Sequence, residues 1–106
     1  MNGLSKERHD MEKPKIVFLD EYTLSGADTG RLRALGDYTG YEQTAPAEVA
    51  DRCRGAEVVI TNKVVIDRAR MEALPHLRLI CVAATGMNNI DLEAARERGI
   101  EGRNAA

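Results

Sequence analysis

Short apolar runs recur along the chain, separated by polar segments that carry helix-start and helix-stop residues. The clearest run covers residues 77–82 and is almost continuous, which is typical of a strand buried on both faces of a sheet. Similar runs cover residues 15–20 and 57–61, and weaker strand patterns cover residues 37–42 and 100–104. The pattern therefore predicts five strands.

The segments between these strands carry the signals of four helices, which are predicted to end near residues 35, 54, 74 and 98. Ser25 or Asp28 would cap the first helix, because their side-chain oxygens can accept hydrogen bonds from open amides. Asp67 and Asp91 would cap the last two in the same way, and Pro46 suits a first helical turn. Residues that stop helices follow in each case: Gly36, Gly55, Pro75 and Gly99.

Strands that alternate with helices imply parallel pairing through right-handed crossovers. We therefore predict a three-layer α/β domain with a flavodoxin-like sheet in the order 2-1-3-4-5. The buried face of the first helix would include Leu32 and Leu35, and that of the second would include Val49 and Cys53. No G-x-G-x-x-G motif occurs among the nine glycines, so the dinucleotide-binding fingerprint is absent from this sequence.

Composition narrows the class of protein. With 106 residues, of which 43% are apolar, the chain suits one domain over residues 15–106, and the polar residues 1–14 are expected to form a disordered leader. The net charge of -2, with both signs interspersed, argues against nucleic-acid binding. No apolar run approaches a membrane span or a signal peptide, which predicts a cytoplasmic protein. Cys53 and Cys81 lack metal-type spacing and are expected to be reduced thiols without a metal or redox role.

The residues after the fourth strand form the most informative stretch. Small residues follow it through Thr85 and Gly86, and Asn88 and Asn89 precede the predicted capping residue Asp91. In open α/β sheets ligands bind past the carboxyl ends of strands, where backbone N–H groups and a helix N-terminus favour an anion. This turn is therefore a candidate site for a carboxylate or phosphate. On the pattern alone, the alternative is that Gly86 supplies only a backbone conformation, and both asparagines are interpreted as turn or cap residues.

Other polar residues near strand ends carry weaker signals. Lys63 follows the third strand on the same predicted edge of the sheet and could attract an anionic acid. Asp20 and Glu21 follow the first strand, and we interpret them as a cap or as solvated groups without chemistry. His9 lies in the leader and His76 precedes the fourth strand, so neither is placed to donate a proton at this edge.

The stretch LRLICVAATGMNNIDLEAARERGI, together with EVVITNKVVI upstream, closely resembles the N-terminal substrate domain of the D-2-hydroxyacid dehydrogenases. The resemblance is strongest to the glycerate dehydrogenase or hydroxypyruvate reductase group and extends over residues 15–104. It implies a two-domain, homodimeric oxidoreductase of roughly three hundred residues, in which a separate Rossmann domain binds NAD or NADP. The implied substrate is a small 2-hydroxy or 2-keto acid.

The resemblance also implies which residues contact that acid. Backbone amides of Thr85 and Gly86 would bind the substrate carboxylate, and Asn62, Lys63 and Val64 would border the same pocket. The family's catalytic Arg, Glu and His lie in a later segment, so no catalytic, cofactor-binding or metal-binding residue is assigned here. The sequence is thus expected to be a C-terminally truncated, inactive part of the enzyme. Gly102 departs from the family, where an apolar β-branched residue is usual.

Two other functional classes share features of this sequence. A phospho-acceptor signalling domain has the same sheet order, but it needs an acceptor aspartate where this chain has Thr61 and Asn62. The third possibility is a stand-alone α/β binding or interaction module without catalysis, which would use the apolar surface that a truncated substrate domain leaves open. The sequence keeps this alternative open.

Overall fold

The computed structural model describes residues 13–24, 30–83 and 86–104, and five parallel strands form one sheet within these ranges. The strands are β1 (Lys15–Phe18), β2 (Asp37–Gly40), β3 (Val58–Thr61), β4 (Leu79–Val82) and β5 (Glu101–Asn104). They are ordered β2-β1-β3-β4-β5, and all four neighbouring pairs are parallel. The predicted flavodoxin-like order is confirmed.

The described α-helices are α1 (Gly30–Leu35), α2 (Val49–Arg52), α3 (Arg68–Glu72) and α4 (Leu92–Glu97). Two 3-10 turns accompany them, Glu21–Leu24 after β1 and Pro46–Glu48 before α2. The caps predicted for α3 and α4 are confirmed, because Asp67 accepts the N–H of Arg70 and Asp91 accepts that of Ala94. The predicted caps of the first helix, Ser25 and Asp28, lie outside the described residues. None of the described helices has the length and apolar content that crossing a membrane requires.

The two faces of the sheet are covered unequally. Helices α2, α3 and α4 pack on one face, where the main core contains fully buried side chains from strands, helices and loops: Val17, Leu19, Val49, Cys53, Val59, Ile66, Met71 and Ile80. Helix α1 covers the other face, where Leu32 packs against a smaller cluster formed by Ile16, Phe18, Tyr38 and Ile60. The predicted three layers are present, and the second outer layer is thin over the described residues.

This uneven cover corrects two sequence predictions. The sequence predicts that β4 is buried on both faces of the sheet. In the structure, the alternate residues Leu79 and Cys81 are only half-buried. Leu35, expected on the buried face of α1, is 66% exposed. Over the described residues, α1 has six residues and covers only part of its face. An apolar cleft of about 390 Å³ remains open beside β4, lined by Leu32, Ile60, Cys81, Val82, Ala83, Arg103 and Asn104.

Pro14 belongs to the fold, although it falls within the predicted leader. Its carbonyl oxygen accepts the N–H of Asp37 at 2.9 Å and so extends the contact between β1 and β2. A Cβ on Gly36 would lie 2.3 Å from that carbonyl oxygen. Gly36 is therefore required by close backbone approach and not by the left-handed helix stop that the sequence suggested. Residues 1–12 lie outside the described residues.

Candidate functional site

The loops that follow β3 and β4 meet at the carboxyl edge of the sheet. Ile66 and Ile90 form a parallel bridge, in which the N–H of Ile66 donates to the carbonyl of Asn89 at 2.9 Å. The side-chain amide of Asn89 donates to the carbonyl of Val64 at 2.9 Å and lies 3.5 Å from that of Asn62. The structure thus brings the predicted loop 62–64 against the turn 86–90. Asn89 lies in a turn, which is one of the two roles predicted for it, and its side chain also makes this contact between loops, which the sequence did not predict.

Asp20 holds the other side of the same loop. Its carboxylate is buried, with 1% of the residue exposed, and accepts the N–H of Asn62 at 2.9 Å and the N–H of Lys63 at 2.7 Å. The interpretation of Asp20 as a helix cap or a solvated group is therefore wrong. The only signal available in the sequence was a carboxylate directly after a buried strand, and its partners are main-chain groups more than forty residues away.

The backbone N–H groups of loop 62–64 are all engaged within the chain. Besides the two that Asp20 accepts, the N–H of Val64 donates to the Thr61 hydroxyl at 2.9 Å. The loop therefore does not offer these amides to a bound acid. Lys63 has an exposed side chain and is the residue through which the loop presents a positive charge.

Gly86 is exposed, and a Cβ at this position would meet no atom of the described residues within 4 Å. Its φ is not in the left-handed region, where only Gly55 and Gly99 lie among the described glycines. Gly86 is thus not required by the backbone conformation. Helix α4 begins six residues later, at Leu92, with Asp91 as its cap, as predicted. Its N-terminus is therefore separated from Gly86 by residues 87–91. Thr85 lies outside the described residues.

A cleft of about 280 Å³ opens between the loops that follow β1, β2 and β3, and it is lined by Asp20, Tyr22, Gln43, Thr44, Pro46, Lys63, Val64 and Val65. Hydrogen bonds fix its wall beyond β2. The Thr44 hydroxyl donates to the carbonyl of Leu19 at 2.8 Å, and the Arg52 guanidinium donates to the carbonyl of Gln43 at 2.7 Å. Tyr22 and Val65 are 45% and 52% exposed at this cleft. The cleft is therefore preformed and offers both apolar contacts and the Lys63 ammonium.

The neighbouring Glu21 is held by β2. It accepts a hydrogen bond from the Tyr38 hydroxyl, and a Cβ on Gly40 would overlap its carboxylate. Burial, together with this hydrogen bond and the negative charge of Glu21, raises the pKa of Tyr38 far above its ordinary value. Glu21 therefore has a structural partner in β2, which its interpretation as a cap or a solvated group did not include.

Other reactive side chains lie away from this edge or are inert. Burial raises the pKa of the Cys53 thiol to about 11 and also raises the pKa of Cys81, so both thiols stay protonated at neutral pH. His76 is exposed before the amino end of β4, and His9 is outside the described residues. Within the ranges that the structure describes, no group of three or more His, Cys, Asp or Glu side chains is arranged to hold a metal ion.

Comparison with known proteins shows which family the chain resembles. The family model described as D-isomer specific 2-hydroxyacid dehydrogenase, catalytic domain, matches residues 16–106. The chain is 40% identical over 87 residues to a glycerate dehydrogenase of Methylorubrum extorquens, and 40% identical over 91 residues to a hydroxypyruvate reductase of Blautia hydrogenotrophica. Each alignment covers 81% of this chain.

A solved 2-hydroxyacid dehydrogenase from Ketogulonicigenium vulgare superposes with a TM-score of 0.66 at 32% identity, over 87% of this chain and 29% of that one. The chain spans only 27–29% of the length of the curated relatives that it matches first. The superposition thus shows a shared fold, and the family match extends over residues 16–106. The chain belongs to the D-isomer specific 2-hydroxyacid dehydrogenase family.

Proposed function

We propose that this chain is the substrate-binding part of an NAD(P)-dependent oxidoreductase that interconverts a small D-2-hydroxy acid and its 2-oxo acid. Glycerate and hydroxypyruvate are the leading pair, because relatives at 40% identity are named glycerate dehydrogenase and hydroxypyruvate reductase. Family membership supports the reaction class. The proposal includes a homodimeric, cytoplasmic parent enzyme, and the unpaired Cys53 and Cys81 suit a reducing compartment.

The observation that carries the proposal is the contact between loop 62–64 and turn 86–90 at the carboxyl edge. In the proposed complex, backbone amides of Thr85 and Gly86 bind the carboxylate, and the Lys63 ammonium adds a positive charge beside it. Asn62 and Val64 line the pocket because of where their loop lies. They do not donate their backbone N–H groups to the acid, since these groups are engaged within the chain. The acid is thereby oriented from one side.

The residues of this chain do not fit a nicotinamide dinucleotide. The sequence has no G-x-G-x-x-G motif, and the described turn after β1 contains Asp20, Glu21 and Tyr22 where a dinucleotide turn would have glycine. The cofactor therefore belongs to another part of the enzyme in this proposal. When bound there, it supplies the hydride, while this chain holds and orients the acid.

A second candidate function is a stand-alone binding or interaction module. The half-open face of the sheet beside Cys81, with its apolar cleft, favours it. Turnover by a completed enzyme discriminates between the two candidates, because a module without catalysis would contribute no substrate site.

The test is a chimera in which this chain replaces the aligned N-terminal residues of the Methylorubrum extorquens glycerate dehydrogenase. The chimera is assayed with NADH and NADPH against hydroxypyruvate, glyoxylate and pyruvate, beside the unmodified relative. We expect saturable reduction of at least one of these acids. A chimera that folds and binds the cofactor but reduces none of them would contradict the proposal.

A further inference from the structure

We propose that Asp20 is a positioning residue for substrate binding: its buried carboxylate fixes loop 62–64 and thereby the place of the Lys63 ammonium. The inference rests on the proposed function, since it assigns Lys63 to the binding of the acid. Asp20 itself would not touch the substrate. It acts through the main chain of the loop that carries Lys63.

The first argument is the environment of the carboxylate. A carboxylate that is 1% exposed has lost most of its hydration, and this loss is unfavourable unless hydrogen bonds replace the water. The replacements come from the main chain of Asn62 and Lys63, at 2.9 Å and 2.7 Å. Hydrogen bonds to an ionised group are roughly twice as strong as neutral ones, so the loop is bound firmly to the end of β1.

The second argument is that Asp20 is itself rigidly held. Its carbonyl accepts both the N–H and the hydroxyl of Thr23, at 3.1 Å and 2.8 Å. The preceding residue, Leu19, donates its N–H to the carbonyl of Ile60 at 2.9 Å. The carboxylate is thus anchored to the sheet, and it can determine where the loop lies.

The third argument is that the loop is held from two sides. Asp20 accepts N–H groups on the β1 side, and Asn89 donates to the carbonyl of Val64 on the β4 side. With its backbone N–H groups engaged, the loop offers an anion the Lys63 side chain. The contribution of this loop to the affinity for an acid then depends on the position of the Lys63 ammonium, and Asp20 and Asn89 hold the backbone that carries it.

The informative substitution is Asp20→Asn, which keeps the size of the side chain. An amide has one oxygen to accept an N–H, and its own NH₂ group would face the second N–H donor. One carboxylate oxygen lies 2.7 Å from the N–H of Lys63 and 3.2 Å from that of Asn62, so an amide with its oxygen at this place loses the 2.9 Å contact to Asn62 and holds the loop more weakly. We expect the KM for hydroxypyruvate to rise about tenfold, with kcat and the KM for NADH changed less than about twofold.

The experiment combines kinetics of the chimera with amide exchange of the 106-residue chain. Asp20→Asn, Lys63→Met and the double variant are compared in the chimera, and Asp67→Ala serves as the control, because it removes a helix cap outside the site. If Asp20 acts through Lys63, the two substitutions are not additive, and the KM of the double variant equals that of Lys63→Met. In the 106-residue chain, Asp20→Asn should accelerate exchange of the Asn62 and Lys63 amides about tenfold or more.

The outcomes separate the positioning role of Asp20 from the proposed function. An unchanged KM in Asp20→Asn overturns the positioning role, and so does an additive double variant, which would mean that Asp20 acts independently of Lys63. Unchanged exchange of the two amides overturns it as well. A chimera that folds and binds the cofactor but turns over no acid removes the proposed function and this inference together. Turnover without a KM shift removes only the inference.

Discussion

Three glycines near the site differ in what surrounds them. A Cβ on Gly40 would lie 1.7 Å from a carboxylate oxygen of Glu21, and a Cβ on Gly102 would lie 3.1 Å from Met87 and 3.2 Å from Leu92. In both cases a side chain would require neighbouring side chains of the same domain to move. A Cβ on Gly86 would meet none of the described atoms, and its φ requires no glycine. A requirement for glycine at position 86 would therefore come from a bound ligand or another part of the enzyme.

The substitution Gly86→Val tests this difference. In the chimera we expect kcat/KM for the acid to fall by about ten- to a hundredfold, because the added side chain would displace the carboxylate from one charge-assisted hydrogen bond worth roughly 1.5–3 kcal/mol. NADH affinity and Tm should remain close to those of the parent, since the position is open. Thr85→Ala should have a mild effect, because the proposed contact uses the backbone.

The matched control is Gly36→Val, the same substitution at a position where a Cβ would lie 2.3 Å from the backbone carbonyl oxygen of Pro14. It should lower Tm by about 4 °C or more, since overpacking costs about 1–3 kcal/mol. Unchanged kcat/KM in a folded Gly86→Val enzyme would mean that the turn does not contact the acid. A loss of stability as large as that of Gly36→Val would contradict the open environment of Gly86.

At the level of elements, the sequence predicts the parts whose signals are local. The apolar runs gave β1, β3 and β4, and the polar residues at helix ends gave the caps of α3 and α4. Gly99 adopts the left-handed conformation with φ of +73°, as expected after a helix. In these cases the responsible side chain acts on its own neighbours, so the sequence pattern and the local structure agree.

The contacts that build the site are not local, and this is why they were missed. Asp20 accepts the main-chain N–H of Asn62, which lies 42 residues later in the sequence. Asn89 donates to the main-chain carbonyl of Val64, which lies 25 residues earlier. Every residue has a main chain, so the partner loop carries no pattern that would identify it. The half-exposure of Leu79 and Cys81 was missed for a similar reason, because cover by other elements does not follow from the strand's own residues.

The cap of α4 offers a prediction at this scale. Asp91 accepts the N–H of Ala94 at 3.0 Å, and its own N–H donates to the carbonyl of Ile66 at 3.1 Å. Asp91→Ala removes the first bond and should destabilise the 106-residue chain by about 1 kcal/mol, which lowers Tm by about 4 °C. Thermal unfolding followed by circular dichroism measures the change. Asp91→Asn is the matched control and should keep most of the stability, because asparagine caps helices as well as aspartate does; an equal loss in both variants would contradict the capping role.

On the scale of the whole molecule, the proposal makes this domain one part of a larger enzyme. Two observations suit that role: the unequal cover of the two faces of the sheet and the partial match to relatives. Three described helices cover one face and α1 partly covers the other, which leaves the apolar cleft beside β4 open. The chain also spans 27–29% of the length of relatives whose fold it shares. In the proposed enzyme, this domain contributes the loops that orient the acid, and the cofactor is held elsewhere.

In the proposed enzyme this domain binds the acid and another part binds the cofactor. We therefore predict that the 106-residue chain alone neither binds NADH nor transfers hydride. Micromolar affinity corresponds to about 8 kcal/mol, and a dinucleotide site usually gains much of this by packing glycine turns against the pyrophosphate. The carboxyl edge described here lacks such a turn, and the amides of loop 62–64 are engaged with Asp20 and Thr61. A titration of the chain with NADH, followed by nicotinamide fluorescence, should therefore show no saturation in the micromolar range, whereas the chimera should saturate. Saturable micromolar binding by the chain alone would reveal a nucleotide site on this domain and would contradict the prediction.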